Sequence, residues 1–293
     1  MFVMATWGLN IVSIKYLTQH MDIQALAAVR IVVAFITVTL IIKARRGRIP
    51  KLGRVELGWA ALAGFLVVYA HQIALVSGLR FSSAANGTLI MATSPLLSAL
   101  LAAIFYREKL TLVRISGAML GLLGVGMVVA GSGAQFGLTG WGDAVVFVAV
   151  LVFVFGGLVI QRMSRTMDPL GMLWYMYLAG GVMLVAHAAL TPASYQADTW
   201  QMTWWPWLVL MFSAVIASGV SNIIWNAGIA RLGISRAALF VNWLPIFGLL
   251  FASLFLDEHV TLTHVVGLAC VLGGTWLGLR RVAPAAPRSG RAR

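Results

Sequence analysis

A chain of 293 residues, 61% of them hydrophobic and 10% charged, stands far from soluble domains, where those shares are about 45–50% and about 25%. The composition excludes a water-soluble globular enzyme and leaves room for about ten membrane spans of roughly 20 apolar residues, with no soluble domain between them. The formal net charge of +13 is not the mark of a nucleic-acid binder, because the basic residues follow the loops between apolar segments.

Taken in order, segments of helix length and few charges fall at about 1–19, 22–43, 56–79, 82–105, 111–131, 140–161, 169–190, 206–230, 235–256 and 262–280. The first starts almost at Met1 without a basic leader or a small-residue cleavage site, which predicts a retained helix and not a signal peptide. Single Cys270 lies inside the last span, so no intrachain disulfide is expected. Ten spans put both termini on one side, and the loops can then be scored alternately for Lys and Arg. The loop after the second span carries Lys43, Arg45, Arg46, Arg48, Lys51 and Arg54. Arg107, Lys109 and Arg114 follow the fourth, Arg162 and Arg165 the sixth, Arg231 and Arg236 the eighth, and Arg280, Arg281, Arg288, Arg291 and Arg293 the tenth, whereas Arg80 lies on the opposite side and Lys15 and Arg30 within spans. Eighteen of the 21 basic residues thus share one side, which predicts cytoplasmic N- and C-termini and a disordered basic cytoplasmic tail over 282–293. The longest outward loop holds Trp200, Trp204, Trp205 and Trp207, the composition of an interfacial aromatic belt.

One stretch occurs twice. Residues 95–124 and 245–274 align without gaps at a constant offset of 150, which pairs Pro95 with Pro245, Glu108 with Glu258, Thr111 with Thr261, Gly117 with Gly267 and Gly124 with Gly274. Each copy reads as an apolar helix containing a proline, a short turn built on a Glu, and a second helix opening with glycines. Five spans per copy is an odd number, so the second copy is expected to cross the membrane upside down. The fold class predicted is an all-α integral membrane protein, ten transmembrane helices arranged as two inverted five-helix repeats around a central cavity. Residues 1–131 would form the first repeat and 132–281 the second. The glycine faces of the fifth and tenth spans suit close helix packing, against each other or against a second protomer.

Inverted repeats place a substrate near the bilayer midplane, where interrupted helices expose backbone polar groups. Pro95 cannot donate to the carbonyl of Met91, nor Pro245 to that of Val241, so both helices should kink there and leave a carbonyl free. These two prolines are the candidate hinges. Polar and aromatic side chains in mid-span outline the cavity: Trp7 and Asn10 in the first span; Tyr69, His71 and Gln72 in the third; Thr88 and Met91 in the fourth; Asn222 and Trp225 in the eighth; Asn242 in the ninth. Ser218 and Asn226, and Trp174, Tyr175 and Tyr177 in the seventh span, belong to the same polar inventory. Rings with amide and hydroxyl partners suit a ligand that is flat, partly apolar and polar at one end. Fixed charge is scarce: Lys15 and Arg30 can snorkel toward the outer interface near Asp22. All eight carboxylates fall at or near span ends, so no midplane carboxylate relay is visible, and His71 is the one titratable group placed for proton coupling. No H-E-x-x-H, intramembrane carboxylate pair or Ser/His arrangement points to an enzyme, a metal or a cofactor.

The proline helix, Glu turn and glycine-rich helix present twice, with WGLN opening the first span and Arg30 in the second, resemble the EamA group of the drug/metabolite transporter superfamily over the whole chain. Within it the chain is similar to the YddG-type aromatic amino acid exporters. That resemblance implies a cavity formed mainly by the first, third, fourth, sixth, eighth and ninth spans, with Trp7, Asn10, Tyr69, His71, Met91, Trp225 and Asn242 lining it. It departs from the pattern where Phe155 and Gly156 replace a WG opening in the second copy. The function implied is export of aromatic and other large neutral amino acids, and of flat organic cations, across the bacterial inner membrane by alternating access. The alternative is efflux of another small metabolite or toxic cation. The partners expected are the small-molecule substrate and the lipid bilayer, for a monomer or homodimer with no nucleic acid.

Overall fold

The computed structural model describes residues 1–105, 112–131, 138–196, 200–232, 237 and 239–279. In their described residues all ten predicted segments are helical. We number them α1 (Phe2–Leu17), α2 (Ile23–Arg46), α3 (Arg54–Phe81), α4 in two pieces (Ala84–Met91 and Ser94–Phe105), α5 (Leu112–Gly131), α6 (Leu138–Met163), α7 (Pro169–Ala189), α8 (Trp204–Leu232), α9 (a 3-10 turn Leu239–Trp243 followed by Leu244–Leu256) and α10 (Leu262–Leu279). Five of them, α2, α3, α6, α7 and α8, carry stretches of 21 to 29 residues long and apolar enough to cross a membrane. The basic turn holding Arg107, Glu108 and Lys109, and the tail 282–293, lie outside the described residues.

Starts and stops follow local chemistry. The Asp22 carboxylate accepts from the backbone N–H of Gln24 at 3.0 Å and Ala25 at 3.1 Å and so caps α2, which ends at Gly47 with φ 68°. Asp168 caps α7 through the Gly171 N–H at 2.9 Å, with Pro169 in the first turn. Both carboxylates therefore serve helix N-termini, where orphan N–H groups and the helix dipole favour negative charge.

α5 and α10 pack on each other through the predicted glycines. A Cβ on Gly274 would stand 2.5 Å from the Gly117 carbonyl oxygen, and one on Gly124 would stand 2.8 Å from that of Gly267. These are the same pair of positions, exchanged between the two halves at the 150-residue offset. Glycine is needed here because only a backbone without Cβ allows so close an approach.

A second feature recurs at nearly the same offset. α3 widens into a π-helical stretch at Gly64–Ala70 and α8 into another at Phe212–Val220. A π turn shifts the hydrogen-bond ladder from i→i+4 to i→i+5, which leaves carbonyls to be met by side chains.

Both proline helices are broken, as expected, but by different means. α4 stops at Met91 and restarts at Ser94, and the Met91 carbonyl expected to be free accepts from the Ser94 hydroxyl at 2.5 Å. In α9 the chain is a 3-10 turn up to Trp243, and Pro245 stands in the first turn of the helix that follows. Pro95 and Pro245 thus both stand second in the helix that follows the break, and the two breaks differ in the residues before it.

The start of α4 is tied to the second half. The Glu258 carboxylate accepts from the N–H groups of Ala84 and Ala85, both at 2.9 Å. Beside it, buried Asp143 accepts from the Ser82 hydroxyl and from Asn86 Nδ2, the latter at 3.0 Å, and Asn86 Oδ1 meets His264 Nε2 at 3.2 Å. Two carboxylates predicted at span ends are indeed there, but they hold helices together and do not face water freely.

Candidate substrate-binding cavity

Where α1, α3, α4, α6, α8 and α9 meet, the protein encloses a cavity of about 50 Å³. Trp7, Asn10, His71, Gln72, Met91, Phe153, Ser218, Asn222 and Leu244 line it with four further apolar side chains. A second void of about 20 Å³ adjoins it, shares Val67, Gln72, Phe153 and Asn222 with the first, and adds Tyr177, Trp225 and Asn226. Ligand sites usually measure roughly 300–1,000 Å³, so this chamber is closed down. Larger crevices, of about 340 and 360 Å³, lie on the flanks. Their walls are apolar and exposed, as at Leu208, Phe255 and Val182, which is the character of lipid-facing grooves.

The aromatic wall is a cluster of three rings. Trp7 lies 5.1 Å from Trp225 and edge-on to Phe153 at 6.1 Å, while Phe153 and Trp225 stack at 6.4 Å with 27° between planes. The π-helical stretch of α8 fixes this wall. Trp7 Nε1 donates to the Ala217 carbonyl at 3.2 Å, and the Ser218 carbonyl accepts from the Tyr177 hydroxyl and from Asn222 Nδ2 at 3.0 Å. With its amide nitrogen so engaged, Asn222, which lines the chamber, has its carbonyl oxygen left as an acceptor.

The polar wall is organised by Arg30, which is fully buried. Its Nε donates to Ser213 Oγ at 2.7 Å, Nη1 to Gln72 Oε1 at 3.2 Å and Nη2 to Ser218 Oγ at 3.2 Å. Ser213 in turn donates to Asn10 Oδ1 at 2.5 Å. The snorkelling expected of Arg30 does not occur: α2 carries its side chain into the bundle, and Asp22 is occupied at the helix cap and by Ser194. Lys15 donates to the Arg80 carbonyl at 3.2 Å.

His71 lines the chamber with Nδ1 at 2.9 Å from the Ala149 carbonyl. A carbonyl can only accept, so Nδ1 carries the proton and Nε2 is the free ring nitrogen. No group of three or more metal-ligating His, Cys, Asp or Glu side chains occurs among the described residues.

The structure thus brings together Trp7, Asn10, His71, Gln72, Met91, Asn222 and Trp225. Three predicted residues stand elsewhere. Tyr69 turns away to His187 Nδ1 at 3.2 Å and stacks on Phe65. Thr88 is buried where α4 meets Gly248, its hydroxyl bonded to the Ala85 carbonyl. Asn242 sits in the 3-10 turn of α9 with a buried carbonyl oxygen that has no hydrogen-bond partner. Trp174 and Tyr175 brace α7 against Thr39 and Pro50. Phe153, Ser213 and the hub role of Arg30 were not singled out from sequence. A buried Arg in an apolar span is the signal that pointed toward them.

The comparisons with known proteins agree with a transporter. The model of the EamA-like transporter family matches residues 1–130 and 140–280. An uncharacterized transporter of Bacillus subtilis, YetK, is 21% identical over 94% of this chain and 83% of its own length. A probable terminal-alkyne amino-acid exporter of Streptantibioticus cattleyicolor is 24% identical over 94% of this chain and 90% of its own. A solved crystal structure at 16% identity superimposes with a TM-score of 0.68 over 95% of this chain and 94% of the other.

Proposed function

Because the chain belongs to the EamA-like transporter family, a family of multi-pass membrane transporters and not of enzymes, we propose that it exports aromatic and other large neutral amino acids by alternating access. The observation that carries this reading is the composition of the central chamber: a cluster of three rings, Trp7, Phe153 and Trp225, lines it together with the amides of Asn10, Gln72 and Asn222. Rings accept a flat apolar side chain, and amides at the other end accept its charged groups. The amino-acid exporter among the relatives supports the substrate class. The two halves, 1–131 and 132–281, act as inverted repeats, which the exchanged glycine contacts and the paired π-helical stretches favour. Their rocking about Pro95 and Pro245 opens the closed chamber to each side in turn. The distribution of Lys and Arg orients both termini to the cytoplasm of the bacterial inner membrane.

The test is uptake and counterflow of labelled tryptophan, phenylalanine and threonine in liposomes holding the purified protein, with and without a pH gradient. Saturable flux of the two aromatic amino acids is expected, and its indifference to the gradient would give His71 a packing role. Absence of any amino acid flux from folded protein would remove the substrate assignment.

A further inference from the structure

We infer that Arg30 makes the chamber a receptor for carboxylates, so that the feature of the substrate recognised at its polar end is a free carboxylate group. The inference rests on the amino-acid reading above and assigns the residue that decides it. The first observation is charge. The guanidinium of Arg30 is fully buried, and its partners are two hydroxyls and an amide oxygen, all neutral. Among the described residues no carboxylate lies against it: Asp22, Asp143, Asp168 and Glu258 are each engaged with backbone N–H groups or side chains at helix ends. A buried cation without a counterion is costly to keep, and an anion brought by the substrate supplies what the protein lacks.

The second observation is the direction of the hydrogen bonds, and it is independent of charge. A guanidinium only donates, so every atom touching it must accept. Gln72 therefore turns Oε1 to Arg30 and leaves its NH2 group for the chamber it lines. Ser218 accepts from Nη2 at its hydroxyl oxygen and keeps its own proton to give. Ser213 accepts from Nε and donates to Asn10 Oδ1, which leaves the NH2 group of the chamber-lining Asn10 as its remaining polar group. Arg30 thus engages three side chains at once, and the donors left over are the Gln72 N–H, the Ser218 O–H and, through Ser213, the Asn10 N–H. A wall of donors backed by a positive charge binds a carboxylate and repels an ammonium. The acceptor that remains is Asn222 Oδ1, one turn beyond Ser218 on α8, whose Nδ2 is engaged by the Ala217 and Ser218 carbonyls; it can take the amino group.

The experiment is ligand-induced thermal stabilisation of the purified full-length protein by an isosteric series: phenylalanine, 3-phenylpropionate, which lacks its amino group, and 2-phenylethylamine, which lacks its carboxylate. 3-Phenylpropionate is expected to bind within about tenfold of phenylalanine, and 2-phenylethylamine on the order of tenfold to a hundredfold more weakly, the range of a hydrogen-bonded charge. Arg30→Gln should erase that preference and Arg30→Lys should keep it. Equal or tighter binding of the amine, no stabilisation by 3-phenylpropionate, or an undiminished preference in Arg30→Gln would each overturn the proposal. Should neither variant fold, the order of the three ligands on the wild-type protein decides. Arg30-dependent binding of 3-phenylpropionate without phenylalanine flux in liposomes would keep the carboxylate receptor and remove the amino-acid exporter. Flux of phenylalanine with no preference for the carboxylate analogue would do the reverse.

Discussion

The two proline helices occupy equivalent places in the repeat, yet their breaks are finished differently. In α4 the carbonyl that Pro95 cannot serve is taken by the Ser94 hydroxyl, and Thr93 repeats the device on Ile90 at 2.7 Å. At the matching positions of α9 stand Leu244 and Trp243, which have no hydroxyl to offer. The chain there winds as a 3-10 turn, and Asn242 keeps a buried oxygen without a partner. A satisfied break is a stable bend. An unsatisfied one sits higher in free energy and changes shape at less cost, because fewer hydrogen bonds are lost when it moves. The repeat therefore supplies two breaks of unequal stiffness, and we expect α9 to do most of the moving.

The largest effect should come from giving each break its missing donor. Pro245→Ala supplies an N–H that can bond the Val241 carbonyl in the i→i+4 pattern, in place of the i→i+3 bonding of the 3-10 turn, and allows α9 to run on as a continuous helix. Counterflow is expected to fall on the order of tenfold, the factor that about 1.4 kcal/mol makes in a rate. Pro95→Ala supplies an N–H that must compete with Ser94, so its loss should be only a few-fold. Liposome counterflow normalised to reconstituted protein measures both. Equal losses would mean that the two breaks are mechanically alike, despite their different finish.

Next in size are two substitutions expected to move stability in opposite directions. Ser94→Ala strands the buried Met91 carbonyl and should cost about 1–3 kcal/mol. Asn242→Leu removes a buried acceptor that has no partner, and should leave stability unchanged or raise it by about 1 kcal/mol. Thermal unfolding in detergent reads both. If Asn242→Leu destabilises as much as Ser94→Ala, the Asn242 oxygen is satisfied in the working protein and α9 is not the looser break. Flux adds a second reading, since a stabilised Asn242→Leu protein that transports poorly would give Asn242 the substrate contact expected from sequence.

Why the ten segments were legible and the chamber only partly so comes down to which interactions are local. A bilayer forces every backbone group into a helix, so hydropathy alone places the elements, and the caps at Asp22 and Asp168 are written within three residues of where they act. The breaks at Pro95 and Pro245 are local too, but their finish depends on the neighbour at position 94 or 244. The pairing of Tyr69 with Gln72 failed for a different reason. Spacing of i, i+3 places two residues on one face only in an α-helix. The π-helical stretch Gly64–Ala70 inserts extra backbone between the turns, sending Tyr69 to His187 and Gln72 to the chamber. Arg30 was misread because its partners come from afar. Asp22 is eight residues away in sequence and two turns away on the helix, whereas Ser213 and Ser218 arrive from α8. No periodicity within α2 reports that meeting.

The smallest effect concerns the other end of the α4 outer piece. Ala84–Met91 is held at its start by Glu258 and bounded at its end by the Ser94 hydroxyl, so it is fastened on both sides. Glu258→Gln keeps one acceptor oxygen but loses the negative charge at a helix N-terminus, a contribution of about 0.3–1 kcal/mol for a group partly open to solvent. A fall of a degree or two in Tm is expected, shrinking as salt is raised, because screening already weakens the wild-type interaction. Glu258→Ala, which strands both N–H groups, should fall further and show no such recovery. If Glu258→Gln and Glu258→Ala lower Tm equally at all salt concentrations, the carboxylate acts by packing and α4 is not fastened electrostatically. The greater stiffness assigned to the first break would then have to rest on the hydroxyls of Thr93 and Ser94 alone.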